Sequence, residues 1–179
     1  MTQIGADYSQ ALYGLAKDEG VSQTVLEQLQ TLQEVFGQER DFLRLLGIPS
    51  LSKQERCQIL DNSFRGKLHP YVLNFLKLLT EKGYLRCFED CCKAYRVQYN
   101  TDNGILPVCA VTAVPLDAQQ SKRLTQKLET VTGKRVELVN QVDPGCLGGV
   151  RLDYDGKCLD GTVQNRLESI AVLLKNTVF

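Results

Sequence analysis

Apolar residues in the first hundred positions recur with a helical period. Ile4, Tyr8, Ala11, Leu12 and Leu15 follow the i, i+4, i+7, i+8 spacing of one helical face, and Gly20 ends the run. Val21, Val25, Leu29, Leu32 and Phe36 make a second stripe that stops near Gly37. Phe42, Leu43, Leu45 and Leu46 predict a short third helix closed by Gly47 and Pro49. Ser52 with Glu55 is a capping box, and Ile59, Leu60 and Phe64 carry that fourth helix to Gly66. A fifth helix lies between Pro70, which suits a first helical turn, and Gly83, which suits the left-handed position after the last one. Its Val72, Leu73, Phe75, Leu76, Leu78 and Leu79 are apolar on more than one side, so it belongs at the centre of a bundle or covers a partner as well. Leu85, Phe88, Cys92, Tyr95 and Tyr99 mark a sixth helix that runs out at Thr101–Gly104.

Beyond Asn103–Gly104 the period changes to two. Ile105 to Val114 reads as a strand, and Asp117 with Gln120 opens a helix through Leu124, Leu128 and Val131 that Gly133 closes. A second strand follows over Val136, Leu138 and Val142, and a third over Val150–Tyr154. Asp155–Gly156 then makes a tight hairpin into Lys157–Leu159. Thr162 caps a last helix with Leu167, Ile170, Ala171 and Leu174 on its apolar face. The expected fold is α+β and mainly α: a six-helix bundle over residues 1–104, then a small α/β domain over 105–179 with a short sheet and two helices.

Charge narrows the function classes. Lys plus Arg and Asp plus Glu number 21 each, so the net charge is zero and there is no basic stripe for nucleic acid. No window of about 18 apolar residues exists to span a membrane, and the first residues lack a signal-peptide pattern, so the chain reads as cytosolic. Seven cysteines in such a chain read as small thiols in a reducing compartment rather than as a disulfide framework. Cys87, Cys91 and Cys92 cluster on one helix but lack a suitably spaced fourth ligand, so no metal is expected.

Candidate chemistry is thin. Gly145-Cys146-Leu147-Gly148-Gly149 invites a phosphate-loop reading, but the glycines lead into a strand and no Lys-Ser or Lys-Thr pair follows. They fit a bulge or the close approach of another backbone better, so no nucleotide or other cofactor is expected. A catalytic triad would depend on His69 alone, which reads as a cap beside Pro70. Asp143, Asp153, Asp155 and Asp160 do not match a calcium loop, and two of them precede glycines as turn formers. Arg166 is placed either to pair with Asp160 or Asp153, locking the hairpin to the last helix, or to meet a partner.

Four stretches together carry a family resemblance. Asp143-Pro144-x-x-Leu147-Gly148-Gly149-Val150 and Asp160-Gly161-Thr162-Val163-x-x-Arg166-Leu167 resemble the C-terminal signature of the delta subunit of F-type ATP synthases. Tyr8-x-x-Ala11-Leu12-x-x-Leu15-Ala16 resembles that family's opening helix, and Asn74-Phe75-Leu76-x-Leu78-Leu79-x-x-Lys82-Gly83 its fifth. Gln164 and Asn165 depart from the basic and small residues that the family often has there. The mitochondrial equivalent is the oligomycin-sensitivity-conferring protein.

The resemblance implies a non-catalytic stator that ties the catalytic head to the peripheral stalk. The N-terminal helix of an alpha subunit would lie between the first and fifth helices, with Tyr8, Ala11 and Leu12 on one wall and Asn74, Leu78 and Leu79 on the other. The C-terminal domain would hold the b-type stalk subunits. Gly148, Gly149, Asp160, Gly161 and Arg166 would shape that domain. The implied location is peripheral, at the cytoplasmic face of the energy-coupling membrane: the cell membrane of a bacterium, or the thylakoid in a cyanobacterium. The residues alone also allow a generic helical adaptor with unrelated partners, or an enzyme using the glycine-rich loop or a cysteine.

Overall fold

The computed structural model describes residues 2–39, 42, 45, 51–165 and 167. The fold is mainly helical with one small four-stranded sheet. The chain divides into two compact units, Met1–Tyr99 and Asn100–Phe179.

Helices of the first unit are α1 (Gln3–Asp18), α2 (Ser22–Gln38), α3 (Lys53–Phe64), α4 (Pro70–Lys82) and α5 (Phe88–Asp102), which runs on past its edge. A 3-10 turn, Leu85–Cys87, leads into α5. Local signals set their ends. Ser52 and Glu55 form the reciprocal capping box of α3. Nδ1 of His69 accepts from the Tyr71 amide at 3.3 Å, so this histidine is the N-cap of α4. Gly83 ends α4 at φ 75°, where a side chain would be strained. Of the short third helix expected before the Gly47 and Pro49 stop, Phe42 and Leu45 are described, both helical; its other residues lie outside the described ones.

The core of this unit gathers Val25, Leu29, Leu32 and Phe36 of α2 with Val72, Leu73, Phe75, Leu76 and Leu79 of α4 and Phe88, Cys91, Cys92 and Tyr95 of α5. Each such aliphatic side chain contributes about 1.5–3 kcal/mol by leaving water. Aromatic edges add direction: Phe36 meets Phe88 at 5.1 Å and Tyr13 meets Tyr95 at 5.3 Å between ring centroids. The Tyr95 hydroxyl stays satisfied by donating to the Ser22 carbonyl at 3.0 Å.

α1 corrects the apolar face expected for it. Its buried residues are Gly5, Ser9, Leu12, Tyr13 and Ala16, whereas Ile4, Ala11 and Leu15 face solvent. Small residues explain the offset. A Cβ on Gly5 would stand 3.0 Å from the Asp90 Cβ, so α1 approaches α5 too closely there for a large side chain. The Thr2 amide seals that end by donating to Asp90 Oδ2 at 2.9 Å, which holds this carboxyl below its usual range.

The second unit is a sheet with β1 (Ile105–Thr112), β2 (Arg135–Val142), β3 (Val150–Tyr154) and β4 (Lys157–Asp160) in the order β2-β1-β3-β4. β1 and β2 are parallel, joined by helix α6 (Ala118–Thr132), and the other pairs are antiparallel. Parallel neighbours need a crossover of this length. The Asp117–Gln120 capping box and Gly133 at φ 66° set the ends of α6. Leu106, Val108 and Val136 form the core beneath it with Leu128, Leu138, Leu152 and Tyr154. Asn140 pins the crossover: its amide donates to Ala110 O and Thr112 Oγ1, and its oxygen accepts from the Leu116 amide at 2.9 Å. Asp155 at φ 48° and Gly156 at φ 70° make the hairpin between β3 and β4. Among the described residues no helix is long and apolar enough to cross a membrane.

Candidate functional site

Two contacts set the relation of α1 to α4. Near the start of α1, the ring of Tyr8 lies 6.0 Å from that of Tyr84, just past the end of α4. At the far end, the Tyr71 hydroxyl donates to Glu19; burial first, then the Glu19 charge and this hydrogen bond, push the phenol up. The helices are therefore antiparallel neighbours. Tyr8, Ala11, Leu15 and Glu19 follow one another at i, i+3, i+7 and i+11, on one face of α1. Tyr71, Asn74 and Leu78 do the same on α4 at i, i+3 and i+7. Antiparallel register then puts Ala11 level with Leu78 and Leu15 level with Asn74.

The result is a solvent-facing seam closed at both ends by tyrosines. Its length from Tyr8 to Glu19 is about 16 Å, or about three helical turns. Leu15 is 53% exposed and Leu78 39%, with Ala11 and Asn74 also exposed and Tyr8 and Tyr71 half-buried. Leu12 and Leu79, expected on the walls, are instead 4% and 0% exposed and belong to the core beneath the seam. Helical phase accounts for this, since each follows an outward residue by one position. Tyr71, Tyr84 and Glu19 escaped the sequence reading. Their only signal was two tyrosines placed immediately inside Pro70 and immediately outside Gly83.

The glycine-rich signature of the second unit is a backbone contact. A Cβ on Gly149 would stand 2.5 Å from the Gly161 carbonyl oxygen and 3.0 Å from the Thr162 Cα. Gly149 also holds φ 82°. The Gly161 amide donates to Val150 O and the Val163 amide to Gly148 O, each at 3.0 Å. Asp160 accepts from the Thr162 hydroxyl at 2.7 Å and amide at 2.9 Å, and these bonds hold its carboxyl below the ordinary range. Thr162 in turn accepts from the Asn165 amide at 3.3 Å, the expected cap. Asp153 is engaged by Arg151 at 3.2 Å; Arg166 lies outside the described residues. Leu147, in the left-handed region at φ 59°, and Val163 present exposed apolar side chains around this turn.

His69 is spent as a cap, and among the described residues no group of three His, Cys, Asp or Glu could hold a metal ion. Burial pushes the Cys91 thiol up to about 11 and the Cys92 thiol up to about 12, the reverse of a nucleophile.

The family model of the ATP synthase delta (OSCP) subunit matches residues 4–174. ATP synthase subunit delta of Alkaliphilus oremlandii is 33% identical over 93% of this chain and 93% of its own. The Synechococcus elongatus subunit delta is 27% identical over 97% of each. A chain in the cryo-EM structure of the Toxoplasma gondii mitochondrial ATP synthase hexamer shares the fold, with a TM-score of 0.74, 23% identity and coverage of 97% of this chain and 98% of that one. With its length almost fully matched on both sides, the chain belongs to the ATP synthase delta (OSCP) subunit family.

Proposed function

We propose that the seam between α1 and α4 receives the amphipathic N-terminal helix of an alpha subunit, while the C-terminal domain holds the end of the b-type peripheral stalk. Family membership carries the broader role: the chain is a stator subunit of the ATP synthase. A stator has to hold against torque, which needs slow dissociation and hence desolvated apolar anchors more than rim charges. The observation that carries the finer reading is the paired stripe of Ala11, Leu15, Asn74 and Leu78, open to solvent along two antiparallel helices. A helix docked in such a groove buries anchors at i, i+3, i+4 and i+7 and needs little charge, in keeping with a neutral chain.

Exposed Leu147 and Val163 beside the glycine turn support the stalk contact. In this reading the N-terminal domain is a six-helix bundle over 1–104, the α/β domain spans 105–179, and the subunit works without catalysis or cofactor. It sits peripherally at the cytoplasmic face of a proton-coupling membrane. Capture of the native complex through a tag on this chain tests the reading. Alpha and b subunits are the expected companions; recovery of neither returns the chain to the role of a helical adaptor with other partners.

A further inference from the structure

Helix α6 presents a flank that its own domain leaves open. Leu128 packs on the Leu106, Val108 and Val136 core, yet no residue of the helix is fully buried. Leu124 and Val131 lie beside Leu128 on one side of the helix, seven residues apart. Leu124 is half-buried and Val131 is 84% exposed. Arg123 and Lys127, at i and i+4, border the same flank. All four line an open groove of about 640 Å³, together with Gln120 and Thr130.

The charges on this helix are one-sided. Its single acid, Glu129, turns toward the sheet, where Oε1 accepts from the Val136 amide at 3.1 Å. Lys122, Arg123 and Lys127 are exposed, and among the described residues no carboxylate pairs with any of them. Like charges at i and i+4 oppose helix formation, so Arg123 and Lys127 do not serve the isolated domain. An apolar stripe bordered by two unanswered cations fits an amphipathic helix that carries carboxylates beside its own apolar residues. A second copy of this chain does not fit, because a two-fold contact would bring the same cations together.

We propose that the Leu124–Val131 flank of α6 receives an acidic amphipathic helix at the end of a b-type stalk subunit. This rests on the reading that the C-terminal domain holds that stalk, and adds the surface, the anchors and the sign of the charge. Leu124 and Val131 supply the apolar anchors, two turns apart and matched by two turns of the incoming helix. Arg123 and Lys127 take carboxylates at the rim, which sets register and speeds encounter more than it adds affinity. Rim pairs of this kind weaken as salt rises.

The test measures binding of the full chain to the C-terminal segment of the b-type subunit that accompanies it in the native complex, by calorimetry at low and high salt. Arg123→Glu with Lys127→Glu should weaken binding about tenfold at low salt and flatten its salt dependence. Val131→Ser should weaken it about threefold. Arg123→Gln with Lys127→Gln, a milder change to the helix, should give the same flattening. Exchanging acidic residues of the b segment for lysine should restore affinity for the charge-reversed chain, a rescue that a damaged fold cannot give. Equal affinity of the unaltered and charge-reversed chains would overturn this assignment and leave the stalk reading standing. No binding by the unaltered chain would overturn both. A changed oligomeric state on charge reversal, with b-segment affinity unchanged, would give the flank to a second copy and overturn the proposal.

Discussion

Tyr8 and Tyr84 face each other with ring centroids 6.0 Å apart and planes tilted by 59°, closing one end of the seam between α1 and α4. Tyr71 and Glu19 close the other. A helix laid between them meets two fixed stops, which sets its register as well as its position. Tyrosine suits such stops because it presents a large apolar area with few rotatable bonds and ends in a polar group.

If the seam is the docking site, truncating its exposed members should cost binding and little else. Tyr8→Ala and Leu78→Ala should each weaken binding of an alpha N-terminal peptide about tenfold by calorimetry, or about 1.4 kcal/mol. Leu79→Ala is the contrast, because Leu79 is wholly buried. It should lower folding stability by about 2–5 kcal/mol in urea unfolding. Unchanged peptide affinity in the folded Tyr8→Ala, Leu78→Ala double variant would falsify the seam assignment.

Gly149→Ala should destabilise the C-terminal unit far more than Gly156→Ala. Both residues hold positive φ, which costs roughly 1–2 kcal/mol for a residue with a side chain. Only at Gly149 does the new Cβ also meet backbone, the Gly161 carbonyl oxygen at 2.5 Å. Urea midpoints of the two variants, compared side by side, measure the difference.

Thiol labelling should follow exposure and hydrogen bonding. Cys158 is exposed and should react first with iodoacetamide at pH about 8, a little below the usual thiol value. Cys91 and Cys92 should react only on unfolding, since burial raises them to about 11 and about 12. The hydrogen bond to Asp153 is the first cause that raises the Cys158 thiol, so Asp153→Asn should increase its thiolate fraction and speed its labelling. An unchanged rate would mean that this bond does not govern the thiol in solution.

Acid should loosen the hairpin junction through Asp160. Its folded value is depressed from the ordinary 3.8 by the Thr162 hydroxyl and amide. Stability from this group is therefore fully present above the ordinary value and is lost as pH falls through the folded one. Asp160→Asn should flatten the acid limb of the stability curve below pH about 4, read from unfolding midpoints across that range.

Local chemistry was the legible part of this fold. The Ser52–Glu55 and Asp117–Gln120 boxes, the Pro70 and Gly83 boundaries and the Asp155–Gly156 hairpin each depend on residues within a few positions of one another, and each stands where its spacing put it. The burial of α1 was hidden because its contact face uses Gly5 and Ser9, which periodicity counts as blanks. Of the residues read as one apolar face of this helix, Ile4, Ala11 and Leu15 face outward. Of the six candidate wall residues, Leu12 and Leu79 lie in the core beneath the seam, and the tyrosines at its ends depend on pairing two helices some sixty residues apart. Strand order was hidden for a similar reason, since the parallel pairing of β1 with β2 is decided by packing under α6.

β1 has a mechanical meaning that its residues alone do not express. It lies between β2 and β3, bonded to one in parallel and to the other in antiparallel fashion, and it is the strand into which α5 feeds through two residues. Tension passed along the chain from that helix therefore pulls a central strand lengthwise. Its hydrogen bonds on both sides are loaded together in shear, where an edge strand could be peeled away one bond at a time. For a subunit that must not yield under a turning load, the order of four short strands sets how abruptly the domain would give way.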